Sequence, residues 1–268
     1  MAKSKHDLLF LKLGGSLITD KTAVECVREE AITRLAEEVA EARAARPGLR
    51  LVLSHGSGSF GHVAAARHRT RDGVGTAEQW MGFCQVSAAA ARLNRLVSEA
   101  LLAAGVPVVS VQPSASAVCS AGQLVEMSTA PVKAALDAGL APLVYGDVAF
   151  DRVRGGTIIS TEDVLSFLAT ELEPMWLLLA GNTAGVFDAA GEVISQISMA
   201  NFYSVRDALG GSKGTDVTGG MASKVQGMLA LAHKRPGLSI RIFSGLEPGR
   251  LRRVLLDPAE PAGTLLTA

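Results

Sequence analysis

The stretch LVLSHGSGSFGH, residues 51–62, joins a run of apolar residues to a loop rich in glycine. A short apolar run of this kind is typical of a strand buried in a parallel sheet. From Gly56 the loop carries the pattern G-x-G-x-x-G, which is found in turns that bind dinucleotides. His55 and His62 flank the pattern, and a dinucleotide-binding turn has no need of either. The stretch predicts an α/β fold and leaves open whether the loop binds a dinucleotide or other phosphates.

The rest of the chain repeats this alternation of apolar runs and longer helical segments. Apolar strands joined by helices predict a parallel sheet that is covered on both faces. A change in the sequence pattern near residue 150 suggests two lobes that share this sheet. The predicted strands are residues 8–14, 49–56, 106–112, 141–148, 175–182 and a final strand at 238–245. The predicted helices are residues 28–46, 76–104, 129–138, 161–172 and 221–234.

Composition narrows the classes of function. The chain has 268 residues, with 26 basic and 26 acidic side chains, so no basic excess indicates a nucleic-acid partner. The three cysteines are scattered without metal-ligand spacing, which favours a reducing compartment. Neither a signal peptide nor a run of about 20 apolar residues is evident, so we expect a cytoplasmic protein without a membrane partner.

Glycine-rich loops follow several predicted strands and are accompanied by lysines. KLGGSLITDK, residues 12–21, brings two lysines to one turn, and TGGMASK, residues 218–224, places Lys224 near the start of a helix. Backbone N–H groups at such turns, together with lysines, suit phosphate oxygens. The sequence contains neither the G-x-x-x-x-G-K-[ST] motif of P-loop enzymes nor the H-R-D and D-F-G motifs of protein kinases. Phosphoryl transfer by another fold is therefore predicted, without a protein metal-ligand cluster.

The segments KLGGSLITDK, HGSGSFGH, YGDVAFD, ISTEDVLSFLA and DVTGGMASKV resemble the amino acid kinase superfamily, in the family order. Within it the chain is most similar to the isopentenyl phosphate kinases, because of His62 and the SLITDK turn. The resemblance implies a three-layer αβα sandwich with a mostly parallel central sheet, formed by one domain over residues 1–268. Residues up to about 150 would form the substrate lobe and residues from about 151 the nucleotide lobe. It also implies a homodimer that uses ATP and Mg²⁺ to phosphorylate isopentenyl phosphate.

The resemblance assigns roles to individual residues. Those implied for catalysis are Lys12, Lys21, His62, Asp163 and Lys224, with Asp163 orienting the lysines or the metal. Those implied to contact ATP are Lys12, Gly14, Gly15, Ser16, Gly58, Asn182, Gly185, Val186, Phe187, Gly220 and Lys224. Those implied to hold the acceptor are Ser57, Gly58, His62, Gly146 and Asp147.

The chemistry of the implied reaction assigns His62 to binding. The acceptor is already a phosphate, whose oxygen is largely ionised near pH 7 and needs little help from a general base. Lysines and a donor histidine would relieve the repulsion between two polyanions. For the apolar tail of the acceptor, the nearest candidates are Phe60, Trp80, Met81, Phe83 and Val86, although helical spacing favours core burial for some of them.

The sequence departs from the family pattern at two places. NTAGVFD carries Asn182 and Ala184 where acidic residues are frequent, and Ser57 stands where glycine or alanine is frequent. The first departure leaves the nucleotide contacts open, whereas a backbone contact would survive the second.

Three alternatives remain. The first is a related kinase acting on another small acid or on a phosphonate, such as a fosfomycin kinase. The second is an oxidoreductase, but the residues after Gly61 are basic and interrupted by glycine, and no acidic residue ends a following strand as a dinucleotide site requires. The third is a nucleotide sensor without catalytic activity, against which the retained lysines argue.

Overall fold

The computed structural model describes residues 8–20, 22–61, 69–209 and 220–268. Within these residues, the strands of one eight-stranded sheet are β1 (Leu8–Leu13), β4 (Arg50–His55), β5 (Val108–Ser110), β8 (Ala141–Tyr145), β11 (Trp176–Gly181), β12 (Gln196–Ile197), β13 (Ser239–Ser244) and β14 (Thr264–Leu266). Their order in the sheet is β12-β14-β13-β11-β1-β4-β8-β5. The strand pairs are parallel except for β13 with β14.

Helices cover both faces of this sheet. They are α1 (Gly15–Ile18), α2 (Glu29–Ala45), α3 (Ala77–Ala103), α4 (Ala130–Asp137), α5 (Thr161–Leu172), α6 (Met199–Leu209), α7 (Gly220–Lys234) and α8 (Arg250–Leu256). Along β1, Leu8 and Phe10 belong to one core cluster, whereas Leu9 and Leu11 belong to the other. This alternation is the period of two that a strand imposes on its side chains. Helices α2, α3 and α8 pack in the second cluster and α4 to α7 in the first, which confirms the predicted three-layer arrangement.

Two small sheets complete the description. The first has the order β10-β9-β6-β7 and consists of β6 (Val118–Ser120), β7 (Gln123–Glu126), β9 (Asp147–Asp151) and β10 (Gly155–Ile159). The second pairs β2 (Thr19–Asp20) with β3 (Cys26–Val27). None of the described helices has the length and apolarity that crossing a membrane requires.

Several short elements of the structure are not predicted from the sequence. The strand at 238–245 is not the last, since β14 follows it and pairs with it in antiparallel orientation. The β9–β10 hairpin and the short helices α6 and α8 were also missed. Such elements depend on contacts with distant segments, which leave little periodic signal in a few residues.

The strand order gathers the glycine-rich loops at one edge. Strands β11, β1, β4 and β8 are consecutive neighbours and parallel, so their carboxyl ends lie side by side. The chain extends from β1 to β4 and β8 on one side and returns to β11 and β13 on the other. Ligands of open α/β sheets bind where the strand order reverses in this way.

Candidate functional site

The loops that follow β1, β4 and β13 begin as extensions of the sheet. The Gly14 N–H donates to the Ala180 carbonyl at 2.7 Å, and the Gly56 N–H donates to the Leu13 carbonyl at 2.8 Å. The Gly245 N–H makes the corresponding bond to Gly181, also at 2.8 Å. The loops therefore leave the strands from fixed positions.

The first two glycine loops pack directly against each other. A Cβ atom on Gly15 would lie within 3.0 Å of the Gly58 nitrogen, and one on Gly56 would lie 2.6 Å from the Gly15 nitrogen. Gly58 has a φ of +49°, a left-handed conformation that glycine adopts without strain. The resemblance implies contacts with ATP for Gly15 and Gly58; the structure shows that Gly15, Gly56 and Gly58 are also needed for contact between the two loops.

Thr19 fastens this pair of loops together. Its hydroxyl donates to the Gly15 carbonyl at 2.7 Å and accepts from the Ser59 N–H at 2.9 Å. Thr19 thus engages one carbonyl and one N–H group of the loops. Among the described residues, the N–H groups of Gly15, Ser16, Ser57 and Gly58 have no hydrogen-bond partner. Unpaired amides at adjacent turns suit the oxygens of an anion.

A lysine–glutamate–lysine cluster lies beside these loops. Lys12 at the end of β1 is buried and forms an ion pair with Glu162 in the first turn of α5. Lys224 of α7 approaches the same Glu162 oxygen, with 4.0 Å between Nζ and Oε1. One carboxylate therefore holds two ammonium groups, which leaves the cluster with a net positive charge.

Burial and charge oppose each other within the cluster. Burial lowers the pKa of Lys12, and the Glu162 carboxylate opposes that change. Burial alone would raise the pKa of Glu162, but the two lysines outweigh it and lower the value to about 2. Glu162 is therefore ionised at neutral pH, holds Lys12 in an ion pair and attracts Lys224 across 4.0 Å. Both ammonium groups are thereby kept on the side of the site where a phosphate would bind.

Asp163, which was predicted to orient the lysines or a metal, makes different contacts. Its carboxylate accepts from the Ser160 N–H at 2.8 Å and from the Ser160 hydroxyl at 2.7 Å, while the Asp163 N–H donates back to that hydroxyl. This is a capping box at the start of α5. The contacts assign the lysine-orienting position to Glu162 instead. The Ser-x-x-Asp spacing was a signal in the sequence that could have distinguished these two carboxylates.

Thr161, also missed from the sequence, joins three segments of the site. Its hydroxyl donates to the His55 carbonyl at 2.8 Å and accepts from the Gly146 N–H at 3.0 Å. A Cβ atom on Gly146 would lie 2.9 Å from the Thr161 nitrogen. Thr161 thus ties the ends of β4 and β8 to the helix that carries Glu162.

Asp147, predicted to contact the acceptor, is directed into the protein. It is 1% exposed and accepts from the Ser87 hydroxyl, the Ser114 N–H and its own neighbour, the Val148 N–H. These contacts fasten β9 to α3 and to the turn at Pro113–Ala115. We therefore assign Asp147 a supporting role rather than a substrate contact.

The predicted nucleotide loop is divided between buried and exposed residues. Val186 is buried and donates its N–H to the Thr264 hydroxyl at 2.8 Å, and Gly185 packs against the same threonine. Asn182 and Phe187 are exposed. Gly185 and Val186 anchor the loop, and only the exposed residues are accessible to a base.

The structure describes only some of the remaining predicted site residues. Lys21 and His62 lie outside the described residues, so their predicted roles remain predictions. Gly220 begins α7, and Lys224 follows it by about one turn. Within the described part of the chain there is no group of three or more His, Cys, Asp or Glu residues that could hold a metal ion.

The candidate tail residues separate into different environments. Trp80 and Phe83 contact each other and Phe150 of β9, and they share a small cluster with Val86. Phe60 belongs instead to the main core. Met81 is 61% exposed on the outer side of α3.

Comparison with known proteins agrees with this geometry. The model of the amino acid kinase family matches residues 7–244. An isopentenyl phosphate kinase from Methanothermobacter thermautotrophicus is 32% identical over 97% of this chain and 99% of its own, and one from Haloferax volcanii is 39% identical over 84% of this chain and 88% of its own. A solved isopentenyl phosphate kinase structure superposes with a TM-score of 0.82 at 28% identity, covering 97% of this chain and all of the other.

Proposed function

The chain belongs to the amino acid kinase family, and we propose that it transfers the γ-phosphoryl group of ATP to isopentenyl phosphate, giving isopentenyl diphosphate and ADP. The observation that carries the proposal is the Lys12–Glu162–Lys224 cluster beside two loops with unpaired amides. The relatives that match nearly the whole length of the chain support the choice of acceptor.

The proposed reaction is a direct displacement. A phosphate oxygen of isopentenyl phosphate attacks the γ-phosphorus of ATP, and the bond to the bridging β,γ-oxygen breaks as ADP leaves. The acceptor oxygen is already ionised, so no described side chain needs to remove a proton. The protein's contribution is to position two polyanions and to neutralise the charge that crowds between them.

Each group of residues has a place in this proposal. Lys12 and Lys224 would contact the ATP phosphates. Glu162, which both lysines approach, would lie between the two ammonium groups. The amides of Gly15 and Ser16 would face the same phosphates. The amides at residues 57 and 58, on the neighbouring loop, would hold the acceptor phosphate, and Lys21 and His62 complete the proposal from outside the described residues.

Mg²⁺ fits this site as a metal that arrives with the nucleotide. The carboxylates nearest the lysines are both engaged, Glu162 with the two lysines and Asp163 in its capping box. Mg²⁺ keeps several waters and is commonly held through substrate phosphates with few protein ligands. The ion would supply charge neutralisation between the phosphates, while Asp163 could approach it only by giving up its cap.

We also propose that the enzyme is a cytoplasmic homodimer. The three cysteines are free thiols, which suits a reducing compartment. On α3, Met81, Leu96 and Leu102 are exposed by 61%, 39% and 55%, on the side of the helix that also carries the charged residues Arg92, Arg95 and Glu99. Large exposed apolar side chains among charged ones support association of two copies through this side of α3.

The acceptor is tested by ADP release in the presence of ATP and Mg²⁺, with isopentenyl phosphate, dimethylallyl phosphate, longer prenyl phosphates and fosfomycin as separate acceptors. Phosphorus NMR of the product should show a diphosphate formed from isopentenyl phosphate. Efficient turnover of fosfomycin with no turnover of isopentenyl phosphate would assign the chain to the alternative acceptor. ADP release with no acceptor at all would indicate ATP hydrolysis instead.

The phosphate cluster is tested on one helix with a matched pair of lysines. Lys224→Met should lower kcat/KM by roughly 10²-fold, because a cation at the transferred phosphoryl group is lost. Lys234→Met, at the exposed end of the same helix, should leave kcat/KM unchanged. Equal kcat/KM values in the two variants would show that Lys224 is not part of the phosphate site.

A further inference from the structure

A buried histidine that the proposed reaction does not use lies beneath the acceptor loop. His55 is the last residue of β4 and is 1% exposed. Its ring stacks on Tyr145, with 5.5 Å between centroids and 8° between planes. Its Nδ1 lies 3.1 Å from the Gly56 carbonyl oxygen, and its Nε2 lies 3.2 Å from the side-chain nitrogen of Asn94. Both ring nitrogens are thus engaged in the interior, where an unpaired polar atom would be costly.

The partners of the ring determine where its proton resides. A carbonyl oxygen can only accept, so Nδ1 must carry the hydrogen that it shares with Gly56. Burial, reinforced by the positive charge of Lys12, lowers the pKa of His55 to about 4, so the ring is neutral at pH 7. A neutral ring has one donor, and Nε2 must therefore accept from the Asn94 amide group. The oxygen of Asn94 in turn accepts from the Ser110 hydroxyl.

This chain of hydrogen bonds fixes the direction of a peptide in the acceptor loop. In a trans peptide the C=O and the following N–H point in opposite directions. Because His55 holds the Gly56 carbonyl toward the interior, the Ser57 N–H points away from the ring. The Ser57 carbonyl is itself held by the N–H groups of Phe60 and Gly61, at 3.1 and 3.2 Å. Among the described residues nothing accepts from the Ser57 N–H, which remains available to a ligand.

We propose that His55 is a positioning residue for the acceptor phosphate: its Nδ1–H orients the Gly56–Ser57 peptide so that the Ser57 amide faces the acceptor, and Asn94 holds the ring in the tautomer that permits this. The inference rests on the proposed function, since it concerns the loop assigned to the acceptor. Asn94 lies on α3, 4% exposed, so the Gly56–Ser57 peptide is oriented in part from a helix that is distant in sequence.

Two substitutions of His55 distinguish the contributions of Nδ1 and Nε2. His55→Asn places an amide near the position of Nδ1 and retains a donor for Gly56, whereas His55→Gln extends the amide toward Asn94 and loses that donor. Loss of one hydrogen bond should raise the KM for isopentenyl phosphate about five- to tenfold in His55→Gln. His55→Asn should stay within about twofold of wild type, and the KM for ATP should stay within about twofold in both.

Calorimetric binding of isopentenyl phosphate should rank the variants in the same order without requiring turnover. Equal losses in His55→Asn and His55→Gln, an equal rise in the KM for ATP, or no loss in His55→Gln would each overturn the role of His55. Wild-type protein that neither binds nor phosphorylates isopentenyl phosphate would refute the proposed function instead. The two failures are therefore distinguishable.

A measurement on the wild-type enzyme remains decisive if either variant fails to fold. With ¹⁵N-labelled histidine, the ring of His55 can be identified by its contact with Tyr145. We expect a neutral ring that carries its proton on Nδ1 at pH 7. A proton on Nε2, or a charged ring at that pH, would leave Nδ1 or Asn94 without the assigned role and would overturn the inference.

Discussion

Replacing Glu162 by glutamine tests whether one carboxylate organises both lysines. Glutamine keeps the size and hydrogen-bonding capacity of the side chain but removes its charge. Lys12, which is buried, and Lys224 would then repel each other without an anion between them. Because the proposed phosphate site depends on the positions of these two ammonium groups, we expect kcat/KM to fall about tenfold or more.

The magnitude of the stability change follows from the pKa of Glu162. Its pKa is lowered from 4.5 to about 2 in the folded protein. This lowering of the pKa corresponds to about 3 kcal/mol of folding free energy at pH 7, and the 22% exposure of the side chain makes this an upper value. For a domain of this size, that is a decrease in Tm of about 6–12 °C.

The pH dependence has a definite sign. A carboxyl group whose pKa is lower in the folded state stabilises the fold above its unfolded pKa, and that stabilisation is lost as the pH falls through the folded value. The difference between wild type and Glu162→Gln should therefore shrink from about 3 kcal/mol at pH 7 to about 1.5 kcal/mol at pH 3.

Urea unfolding at pH 7, 4 and 3, combined with steady-state kinetics at pH 7, measures both effects. Glu37→Gln, on the exposed side of α2, is the control for a generic change of charge. Asp163→Asn tests the neighbouring carboxylate, and it should reduce activity less because the amide oxygen of asparagine can still accept from the Ser160 N–H in the capping box. A stability difference that is the same at every pH, or a larger loss of activity in Asp163→Asn than in Glu162→Gln, would refute the assignment of Glu162.

Three further predictions concern other parts of the molecule. Gly15→Ala should abolish activity because its Cβ would collide with the backbone of Gly58, whereas Gly227→Ala, in open space on α7, should raise the free energy of unfolding by about 0.5–1 kcal/mol. The pKa of His55 is lowered from 6.5 to about 4, so the unfolded chain binds its proton first as the pH falls, and about 2 kcal/mol of stability should be lost between pH 7.5 and 5. Glu38 is 5% exposed and accepts from the N–H of Gly249, just before α8, and from the N–H of Arg252, in its first turn. Glu38→Ala should therefore lower the free energy of unfolding by about 3 kcal/mol.

Each of these outcomes has its own check. Activity in Gly15→Ala close to that of Gly227→Ala would show that the loops are less tightly packed than described. The loss between pH 7.5 and 5 should be absent from His55→Asn, and its persistence there would assign it to another group. Glu37→Ala should change stability by less than about 0.5 kcal/mol, and a loss equal to that of Glu38→Ala would contradict the capping role.

Association through α3 is tested by light scattering of the purified enzyme. Leu96→Glu replaces an exposed apolar side chain on this side of α3 by a charge, which would be costly to bury against a second copy, and we expect monomers. Val153→Glu changes an equally apolar, 70% exposed residue on the β9–β10 hairpin and should leave the mass unchanged. Dimers in both variants would exclude this face of α3 as the interface.

Much of the site could be identified from the sequence because its signals are local. Lys12 lies near the end of an apolar strand that Gly14 follows, and Gly58 and Lys224 occur in motifs with a recognisable order along the chain. These patterns reflect the conformational needs of a few adjacent residues, which do not depend on the rest of the fold.

The remaining assignments depend on segments that are distant in sequence. Asp163 and Asp147 are the acidic residues that the motifs emphasise, yet one caps α5 and the other fastens β9 in the interior. Glu162 gains its importance because β1 and α7 bring lysines 150 and 62 residues away to the same carboxylate. No local pattern can encode that meeting.

The sequence by itself determined that strands and helices alternate and that glycine loops and lysines follow strand ends, since these features are set by the periodicity and flexibility of neighbouring residues. The tertiary structure decided which loops touch, because strand order places β1 between β4 and β11. The tertiary structure also decided the contacts of His55. In the sequence His55 is one of two histidines beside a glycine pattern, whereas in the fold its two ring nitrogens are hydrogen-bonded to Gly56 and Asn94. Hydrogen bonds over such separations depend on packing, and packing is a property of the whole chain.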